Sequence, residues 1–439
     1  MKHLLVYIIM ATTAFTLQSC LHDNDDVFDK TAAERIDDAV ANAKATLVSA
    51  RNGWKFEYYL GSDYIYGGYN MLVRFGTDGK AHLSSEIGAS DSISHSSWDV
   101  TKDQGPVLTF DTYNALLHEL TQPYQDVVNG YEGDFEFVIM KVTPDTIFLQ
   151  GKKWGNDMLL TRAPENLVWK DYLDSIAEVK NHFIYFYQAA IGGEQVDLSL
   201  DTDRQFTLTT ATGNEMKTQY IYTTKGIKLR KALSVNGNNL QYLDYNYNVV
   251  DFRKSTLSTR DNALTLGGNV PETYQSFLDF GGSYRFTANG QSADVQLYPQ
   301  ETWLGKQFLI RGLLNTDTDE PADIVANYDP VFGRLEIVPQ TLGYDSKGLP
   351  VLLFSWAIDP ETGSGGISTS DGIYFKWNGD AENPSYTIEP ISTFKANSFI
   401  LFTYVNGDYD VCESWSFVTT GDYRFAFMTS LTKLNDIAQ

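Results

Sequence analysis

The fold of this chain is decided by the stretch Trp54–Leu83, which reads WKFEYYLGSDYIYGGYNMLVRFGTDGKAHL. Apolar and polar residues alternate over 54–58, and strand-forming residues return over 70–75 and 80–83, as in half-buried β-strands. The segment Thr77-Asp78-Gly79 separates the last two runs and is typical of a tight hairpin turn. The stretch therefore predicts consecutive antiparallel strands joined by short turns.

A helix is predicted immediately before these strands, from Thr31 to Asn52. Thr31 and Glu34 form a capping-box pattern, and apolar residues follow at spacings of three and four. Asn52-Gly53 is a helix stop signal. A second helix is predicted over Glu165–Lys180, directly after a proline.

The same alternation of helix and strands predicts three successive β domains. We expect a helix plus β-meander domain over 29–163, a helix plus second β domain over 164–270, and a C-terminal β domain over 271–439. The Gly- and Asn-containing stretch Ser258–Pro271, followed by the short amphipathic segment Glu272–Phe280, is interpreted as the last boundary. The predicted fold class is mainly β with minor α: an N-terminal helix followed by antiparallel β-meanders that form barrel-like, lipocalin-like domains.

Charge and composition exclude some classes of function. The 439 residues include 33 Lys plus Arg against 56 Asp plus Glu, for a formal net charge of -23. Nucleic-acid binding and docking on anionic lipid both need clusters of cations, and the chain has no basic run. We therefore expect no nucleic-acid partner and no attachment to a membrane other than a lipid anchor.

The first residues have the features of a secretory signal. Leu4–Leu17 is apolar but too short to span a bilayer, and it is followed by Gln18-Ser19-Cys20. This ending resembles the bacterial lipobox, in which the cysteine is lipidated after cleavage. Residues 1–19 are therefore predicted to be a lipoprotein signal peptide and Cys20 the lipidated residue; the alternative is an ordinary signal peptide that contains a cysteine.

An acidic tether over residues 20–28 follows the predicted lipidation site. Asp23, Asp25 and Asp26 resemble the export signal that sends lipoproteins of Bacteroidota to the outer face of the outer membrane. The alternative is a solvated linker without a sorting role. The predicted location is the outer membrane, lipid-anchored and facing the cell exterior.

Several segments resemble a family of Bacteroidota outer-membrane lipoproteins catalogued only as a domain of unknown function. They are residues 105–114, 133–137, 149–156 and 222–227, and with the lipobox and leading helix the likeness covers about the first 260 residues. The resemblance implies an accessory role in a nutrient-import system, with an outer-membrane transporter and its lid lipoprotein as partners. It implies no catalytic residue.

The usual catalytic motifs are missing from the sequence. His118-Glu119-Leu120-Thr121-Gln122 has glutamine where a zinc peptidase needs its second histidine. Neither a nucleophile elbow nor a phosphate-binding loop is present. Cys412 is predicted to be a small buried hydrophobic residue. We expect no cofactor and no catalytic residue, although a pair of catalytic carboxylates cannot be recognised from sequence in so acidic a chain.

A partly calcium-like pattern occurs between Asn315 and Asp323. Asn315, Asp317, Asp319 and Asp323 alternate as oxygen ligands do in a calcium loop. Glu320 replaces the required glycine, however, and the closing acid is missing. A solvated acidic loop is the preferred interpretation, with calcium binding left open.

Tyrosines form the most suggestive candidate for a binding surface. The candidate residues are Tyr59, Tyr64, Tyr66 and Tyr69, around a Gly-punctuated loop, and Tyr247 in an Asn-rich segment. Loop tyrosines provide rigid, amphipathic contact area suited to sugars, peptides or protein partners. The alternative is that they pack strand faces, which we expect for Tyr58 and Tyr242.

The leading hypothesis is a non-catalytic surface lipoprotein that binds a ligand or partner protein as an accessory of nutrient uptake. Such a protein should have exposed aromatic side chains on a shallow face. The first alternative is a cell-surface hydrolase acting on glycans or peptides, which needs a deep cleft with two facing carboxylates. The second is a structural or adhesive surface protein, which would have no pocket.

Overall fold

The computed structural model describes residues 30–122, 129–302, 305–329, 332–380, 384–390 and 393–434. The predicted signal peptide, the lipidation site Cys20 and the export residues Asp23, Asp25 and Asp26 lie outside these ranges. Within them, no helix combines the length and apolar character that a membrane span requires.

Helix α1, Ala32–Ser49, confirms the predicted N-terminal helix. The Thr31 hydroxyl accepts a hydrogen bond from the Glu34 amide, and the Glu34 side chain accepts one from the Thr31 amide. Ala43 and Leu47 are fully buried against the first barrel. The Trp54 indole nitrogen donates to the Leu47 carbonyl at 2.9 Å, which fixes the end of the helix on the first strand.

Eight antiparallel strands close into the first barrel, each paired with the next and the last with the first. They are β1 Trp54–Tyr59, β2 Gly68–Phe75, β3 Lys80–Ser85, β4 Ser94–Lys102, β5 Pro106–Phe110, β6 Glu136–Val142, β7 Thr146–Gly151 and β8 Asp157–Arg162. A short helix, α2 Ala115–His118, lies between β5 and β6. The predicted strand series did not include β4, because its first half is serine-rich and only Trp98 and Val100 supply the apolar alternation.

Helix α3, Trp169–His182, connects the first barrel to the second. It begins four residues after the predicted start at Glu165. Residues 164–167 instead form a turn in which the Leu167 amide bonds the Pro164 carbonyl at 3.0 Å. The Asn52 side chain donates to the carbonyls of Pro164 and Leu167, at 2.7 and 2.8 Å, so these two acceptors are satisfied without a helix.

The second barrel also has eight antiparallel strands. They are β9 Phe186–Ile191, β10 Glu194–Leu200, β11 Gln205–Thr210, β12 Glu215–Thr223, β13 Gly226–Val235, β14 Asn238–Asn246, β15 Thr256–Thr259 and β16 Thr265–Gly268. Most of the stretch 258–271, interpreted as a boundary from its Gly and Asn content, therefore belongs to the second barrel. Gly267 and Gly268 pair with Gln188 and Tyr187, so this segment closes the barrel.

The C-terminal region is a third closed barrel with a second sheet inserted into it. Its strands are β17 Gly282–Ala288, β18 Gln291–Thr302, β19 Gly305–Arg311, β20 Leu314–Asn315, β21 Ile324–Asp329, β22 Arg334–Ile337, β23 Gln340–Tyr344, β24 Pro350–Ile358, β25 Gly365–Ser368, β26 Ile373–Trp377, β27 Ser385–Pro390, β28 Ser398–Val405, β29 Asp408–Val411, β30 Ser416–Phe417, β31 Arg424–Phe425 and β32 Met428–Lys433. The barrel order is β17-β18-β19-β21-β22-β26-β27-β32. Strands β23, β24, β28 and β29, with β25 and β31 attached, form the inserted sheet, and β20 pairs with β30.

One face of the inserted sheet packs on the third barrel. Val351, Leu353, Phe399 and Leu401 are fully buried and belong to the same hydrophobic cluster as the barrel interior. In the segment 272–280, only Leu278–Phe280 is helical, as a single 3₁₀ turn. The structure thus confirms a mainly β chain with an N-terminal helix and successive barrel-like sheets, and the divisions expected near 163 and 270 lie in the links between barrels.

Candidate functional site

The tyrosine-rich loop lies against the second barrel. Tyr59 is 4% exposed and Tyr69 is 1% exposed, so neither forms part of an open surface. For these two residues the predicted ligand surface is corrected: they are interior to the contact between the first two barrels. Burial raises the pKa of both phenols well above the ordinary value of 10.0.

A buried ion pair fastens this contact. Arg204 precedes β11 with a left-handed backbone, φ 59°, and its guanidinium donates to both carboxylate oxygens of Glu86, at 3.0 and 2.9 Å. The side chains are 5% and 1% exposed. Burial acts to raise the pKa of Glu86, but Arg204 and hydrogen bonds, including one from the Asn70 amide, outweigh it and hold that pKa below its usual range. The guanidinium also lies 3.7 Å from the ring centroid of Tyr69.

Tyr64 and Tyr66 are half-buried at the edge of the same contact. Arg230 of the second barrel lies 3.6 Å from the ring centroid of Tyr64. The Gln205 side chain donates to the carbonyls of Tyr64 and Ile65, at 3.1 and 3.0 Å. Much of this loop is therefore bonded to a neighbouring barrel of its own chain, and only the exposed edges of Tyr64 and Tyr66 remain candidates for contact with another molecule.

A cavity of about 230 Å³ lies beside the buried ion pair, between the two barrels and α3, and we call it the interbarrel cavity. It is lined by Lys55, Phe56, Glu57, Asn70, Thr161, Tyr172, Ile221, Tyr222, Thr223, Thr224, Lys228, Tyr242 and Arg260. Strands β1, β2 and β8 provide one wall and the β12–β13 hairpin provides another. The Tyr172 hydroxyl donates to the Asn70 side chain at 3.0 Å and so holds α3 over the opening.

A shallower recess of about 460 Å³ continues from the cavity along α3 and also has Thr224 in its wall. Tyr247 borders it, 40% exposed and stacked on the His182 ring with centroids 4.4 Å apart. The Tyr245 hydroxyl donates to the His182 carbonyl at 2.5 Å, which fixes the stacked pair. Tyr247 is thus the most open of the five predicted tyrosines.

A group of aromatic side chains that the sequence analysis did not predict lies on the outer face of the inserted sheet. We call this group, Phe354, Trp356, Phe402, Tyr404 and Tyr409, the aromatic face. Its residues alternate with the buried positions of β24 and β28, and Tyr404 lies directly across from Tyr409 in the β28–β29 ladder. Cross-strand partners share a face of the sheet, so these rings are brought to one side.

The rings of the aromatic face contact each other, but their exposure is concentrated at two tyrosines, because Phe354 is only 6% exposed. Phe354 lies 5.4 Å from Phe402 and 5.2 Å from Tyr409, and Tyr404 lies 5.2 Å from Tyr409, between centroids. Tyr404 and Tyr409 are 44% and 51% exposed. A signal was present in the sequence: 351–356 is apolar at every position except Ser355. A strand with one face on the core should have polar residues at the alternate positions, and here both faces are apolar.

The acidic side chains of the calcium-like pattern in the C-terminal domain form contacts within the protein. Asp317 accepts hydrogen bonds from the Ser346 amide at 3.2 Å and from the Trp415 indole at 2.8 Å. Asp323 is bound by both ends of the Arg311 guanidinium, at 2.9 and 2.7 Å. Across the residues that the structure describes, no group of three or more His, Cys, Asp or Glu could hold a metal ion. Cys412 is free and fully buried, as predicted.

Two family models match the chain. One, a domain of unknown function (DUF4302), matches residues 24–247, just over half of the 439 residues, from before α1 to the end of β14. The other, a further domain of unknown function (DUF4987), matches residues 258–402, from β15 into β28. No curated protein and no solved structure matches the chain.

Proposed function

This chain belongs to the family described as domain of unknown function DUF4302, and we propose that it is a non-catalytic, lipid-anchored protein of the outer cell surface that binds a glycan through the aromatic face. The single observation that carries the binding role is the exposed pair Tyr404 and Tyr409 on the inserted sheet, next to the half-buried rings of Trp356 and Phe402. Monomeric proteins rarely expose contiguous apolar patches without an interaction to make.

The chemistry of the aromatic face favours a neutral, amphipathic ligand. None of the outward positions of β24, β28 and β29 has a charged side chain: they are Pro350, Leu352, Phe354, Trp356, Ile358, Ser398, Ile400, Phe402, Tyr404, Tyr409 and Val411. Aromatic rings pack on the apolar face of a sugar ring, and tyrosine hydroxyls bond its rim. A neutral glycan meets both requirements. Arg424 of β31 lies across from Ile400 and shares this face, but its guanidinium is bonded to the Asp422 carboxylate.

Substitution of two exposed tyrosines tests the aromatic face. We expect Tyr404→Ala together with Tyr409→Ala to abolish retardation of the protein in gels that contain the polysaccharides it binds. Tyr298→Ala is the matched control, because Tyr298 is 44% exposed on β18 of the same domain and lies outside the face. Equal retardation of the double variant and the control, with both folded by circular dichroism, would contradict the proposal.

The accessory role in nutrient uptake is the second part of the proposal. It is supported by the lipobox-like end at Cys20, by the acids Asp23, Asp25 and Asp26, and by the resemblance of residues 105–227 to surface lipoproteins. Native purification of the tagged protein from gently solubilised outer membranes should recover a transporter together with its lid lipoprotein. Recovery of the protein alone would argue against this role, and fractionation of Cys20→Ala with membranes would argue against the lipid anchor.

The hydrolase alternative requires two free carboxylates across a cleft. Glu57 is the carboxylate in the lining of the interbarrel cavity, and both its oxygens are bonded to Lys228 at 2.7 Å, so it is poorly placed as a general acid or base. The adjoining recess does include Glu178 and Asp244. Cleavage of a bound glycan that is lost in Glu178→Gln or Asp244→Asn would establish the hydrolase in place of the binding protein.

A further inference from the structure

The interbarrel cavity has an unusual charge for this protein. Its lining includes three cations, Lys55, Lys228 and Arg260, and one carboxylate, Glu57. The whole chain has a formal charge of -23, so a local excess of positive charge is uncommon on its surface. A cation-lined cleft with low-dielectric walls attracts anions, because such walls focus the field.

Two of these cations remain weakly compensated. Lys228 is neutralised by Glu57, whose two oxygens it contacts. Lys55 lies two positions before Glu57 on β1. It forms no ion pair with any residue that the structure describes, and its ammonium lies 5.9 Å from the ring centroid of Tyr172. Arg260 lies 3.7 Å from the Asp244 carboxylate, beyond the usual range of a hydrogen bond, which leaves its donors open to a ligand.

The walls and the size of the cavity fit a single sugar. Tyr172 and Tyr242 line it, and the Arg260 guanidinium covers the Tyr242 ring at 3.9 Å. The neutral polar residues of the lining besides the tyrosines are Asn70, Thr161, Thr223 and Thr224. A volume of 230 Å³ is below the range of about 300–1,000 Å³ that is usual for drug-sized ligands, and therefore suits one ring with its substituents.

We propose that the interbarrel cavity is a binding site for one acidic sugar residue, whose carboxylate or sulfate is held by Lys55 and Arg260 and whose ring packs on Tyr172 or Tyr242. This site is separate from the aromatic face and does not depend on it. Because Lys55 belongs to the first barrel and Arg260 to the second, the ligand bridges the two. Binding therefore also stabilises the barrel pair against thermal unfolding.

The test uses the full-length protein in detergent and four probes: glucuronate, glucose 6-sulfate, glucose and inorganic sulfate. We expect calorimetric binding of glucuronate, glucose 6-sulfate or both, with weaker binding at high salt and a higher melting temperature. Glucose lacks the anion and sulfate lacks the ring, so each should bind at least about tenfold more weakly, as expected for loss of one strong contact.

Substitutions assign the binding to this cavity. Arg260→Gln and Lys55→Met should each weaken binding of the acidic sugar by about tenfold, the equivalent of one charge-assisted hydrogen bond. Arg285→Gln is the matched control: Arg285 is 51% exposed, against 54% for Arg260, and its ion pair with Asp294 is on the third barrel.

Four results would overturn the proposal. They are equal binding of glucose and glucuronate, equal binding of sulfate and glucose 6-sulfate, unchanged binding in both Arg260→Gln and Lys55→Met, and absence of binding by all four probes. If one variant unfolds, the other still decides, because both side chains are at least partly exposed and neither belongs to a hydrophobic core cluster.

Discussion

The pairing of Arg204 with Glu86 is the clearest case in which single residues determine how this chain is assembled. The two residues are 118 positions apart, on different barrels, and both are almost completely buried. Arg204 also donates to the Gly68 carbonyl, and Glu86 accepts from the Asn70 side chain at 2.9 Å. These additional hydrogen bonds satisfy further donors and acceptors of the pair, without which its burial would cost stability.

Removal of Arg204 should be strongly destabilising. Arg204→Met leaves the Glu86 carboxylate buried without the guanidinium that binds both its oxygens, and we expect a loss of about 3–5 kcal/mol in the free energy of unfolding. Arg285→Met is the control, because the Arg285–Asp294 pair is about half exposed and should contribute less than about 1 kcal/mol. Urea unfolding followed by fluorescence measures both. Similar losses in the two variants would show that burial of the pair is unimportant.

Low pH should weaken the Arg204–Glu86 contact between the first two barrels. The folded-state pKa of Glu86 lies below its ordinary 4.5, so its contribution to stability is complete above that value and is lost as the pH falls through the folded pKa. Stability measured from neutral pH downward should therefore fall less steeply below pH 4.5 in Glu86→Gln than in the parent protein. Glu215→Gln, at an exposed pair with Lys217, should follow the parent curve. Identical slopes for all three proteins would be inconsistent with this linkage.

Among the elements, the junction of α1 with β1 shows how a local signal and a tertiary contact coincide. Gly53 has φ 79°, the left-handed conformation that glycine adopts without strain, and its carbonyl accepts from the Ala163 amide at 3.0 Å. A methyl group at this position would also collide with the Val73 carbonyl of β2. The glycine therefore completes the turn between α1 and β1 and permits close packing of two backbones.

Gly53 can be compared with a glycine that has the same left-handed backbone but no close neighbour. Gly79, in the β2–β3 turn, has φ 74°, and a methyl carbon added to it would have no neighbouring atom closer than 4.0 Å. Gly79→Ala should cost about 1–2 kcal/mol for the left-handed backbone, and Gly53→Ala about 1–3 kcal/mol more for the collision. Thermal unfolding of both variants measures the difference. Equal costs would mean that β2 moves aside without penalty.

For the whole molecule, buried side-chain pairs join the first two barrels, and the segment that contains Tyr274 leads from the second barrel to the third. Besides the Arg204 pair, Lys228 binds Glu57 across the first contact. On the other side, Tyr274 is 1% exposed in the core of the second barrel, and its carbonyl accepts from Arg253 at 3.0 Å. The interior of the third barrel and its inserted sheet form a separate hydrophobic cluster.

This arrangement predicts two unfolding transitions. Calorimetry should resolve one transition for the N-terminal barrel pair, whose separate cores are joined by the Arg204–Glu86 and Lys228–Glu57 pairs, and one for the C-terminal region, which has its own core. Arg204→Met should lower the first and leave the second unchanged. A single transition that shifts as a whole would show that the three barrels unfold cooperatively.

The sequence alone determined the local features. The two-residue period of 54–58, the hairpin turn at 77–79 and the capping box at Thr31 each depend on neighbouring residues, so they correctly predicted strands, a turn and a helix. The same reasoning missed β4 and the barrel-closing strand β16, because barrel closure, rather than a strong local pattern, decides that these segments pair.

Only the tertiary structure decided which surfaces are open. Tyr59, Tyr69 and Tyr247 were all predicted to belong to a binding surface. Tyr59 and Tyr69 are buried where the first two barrels meet, whereas Tyr247 is 40% exposed. In the lining of the interbarrel cavity, Glu57 is bonded to Lys228, which is 171 positions away in the sequence. A residue pattern states which face of an element is apolar, but it does not state what packs against that face. Burial, charge pairing and binding surfaces follow from contacts between distant segments.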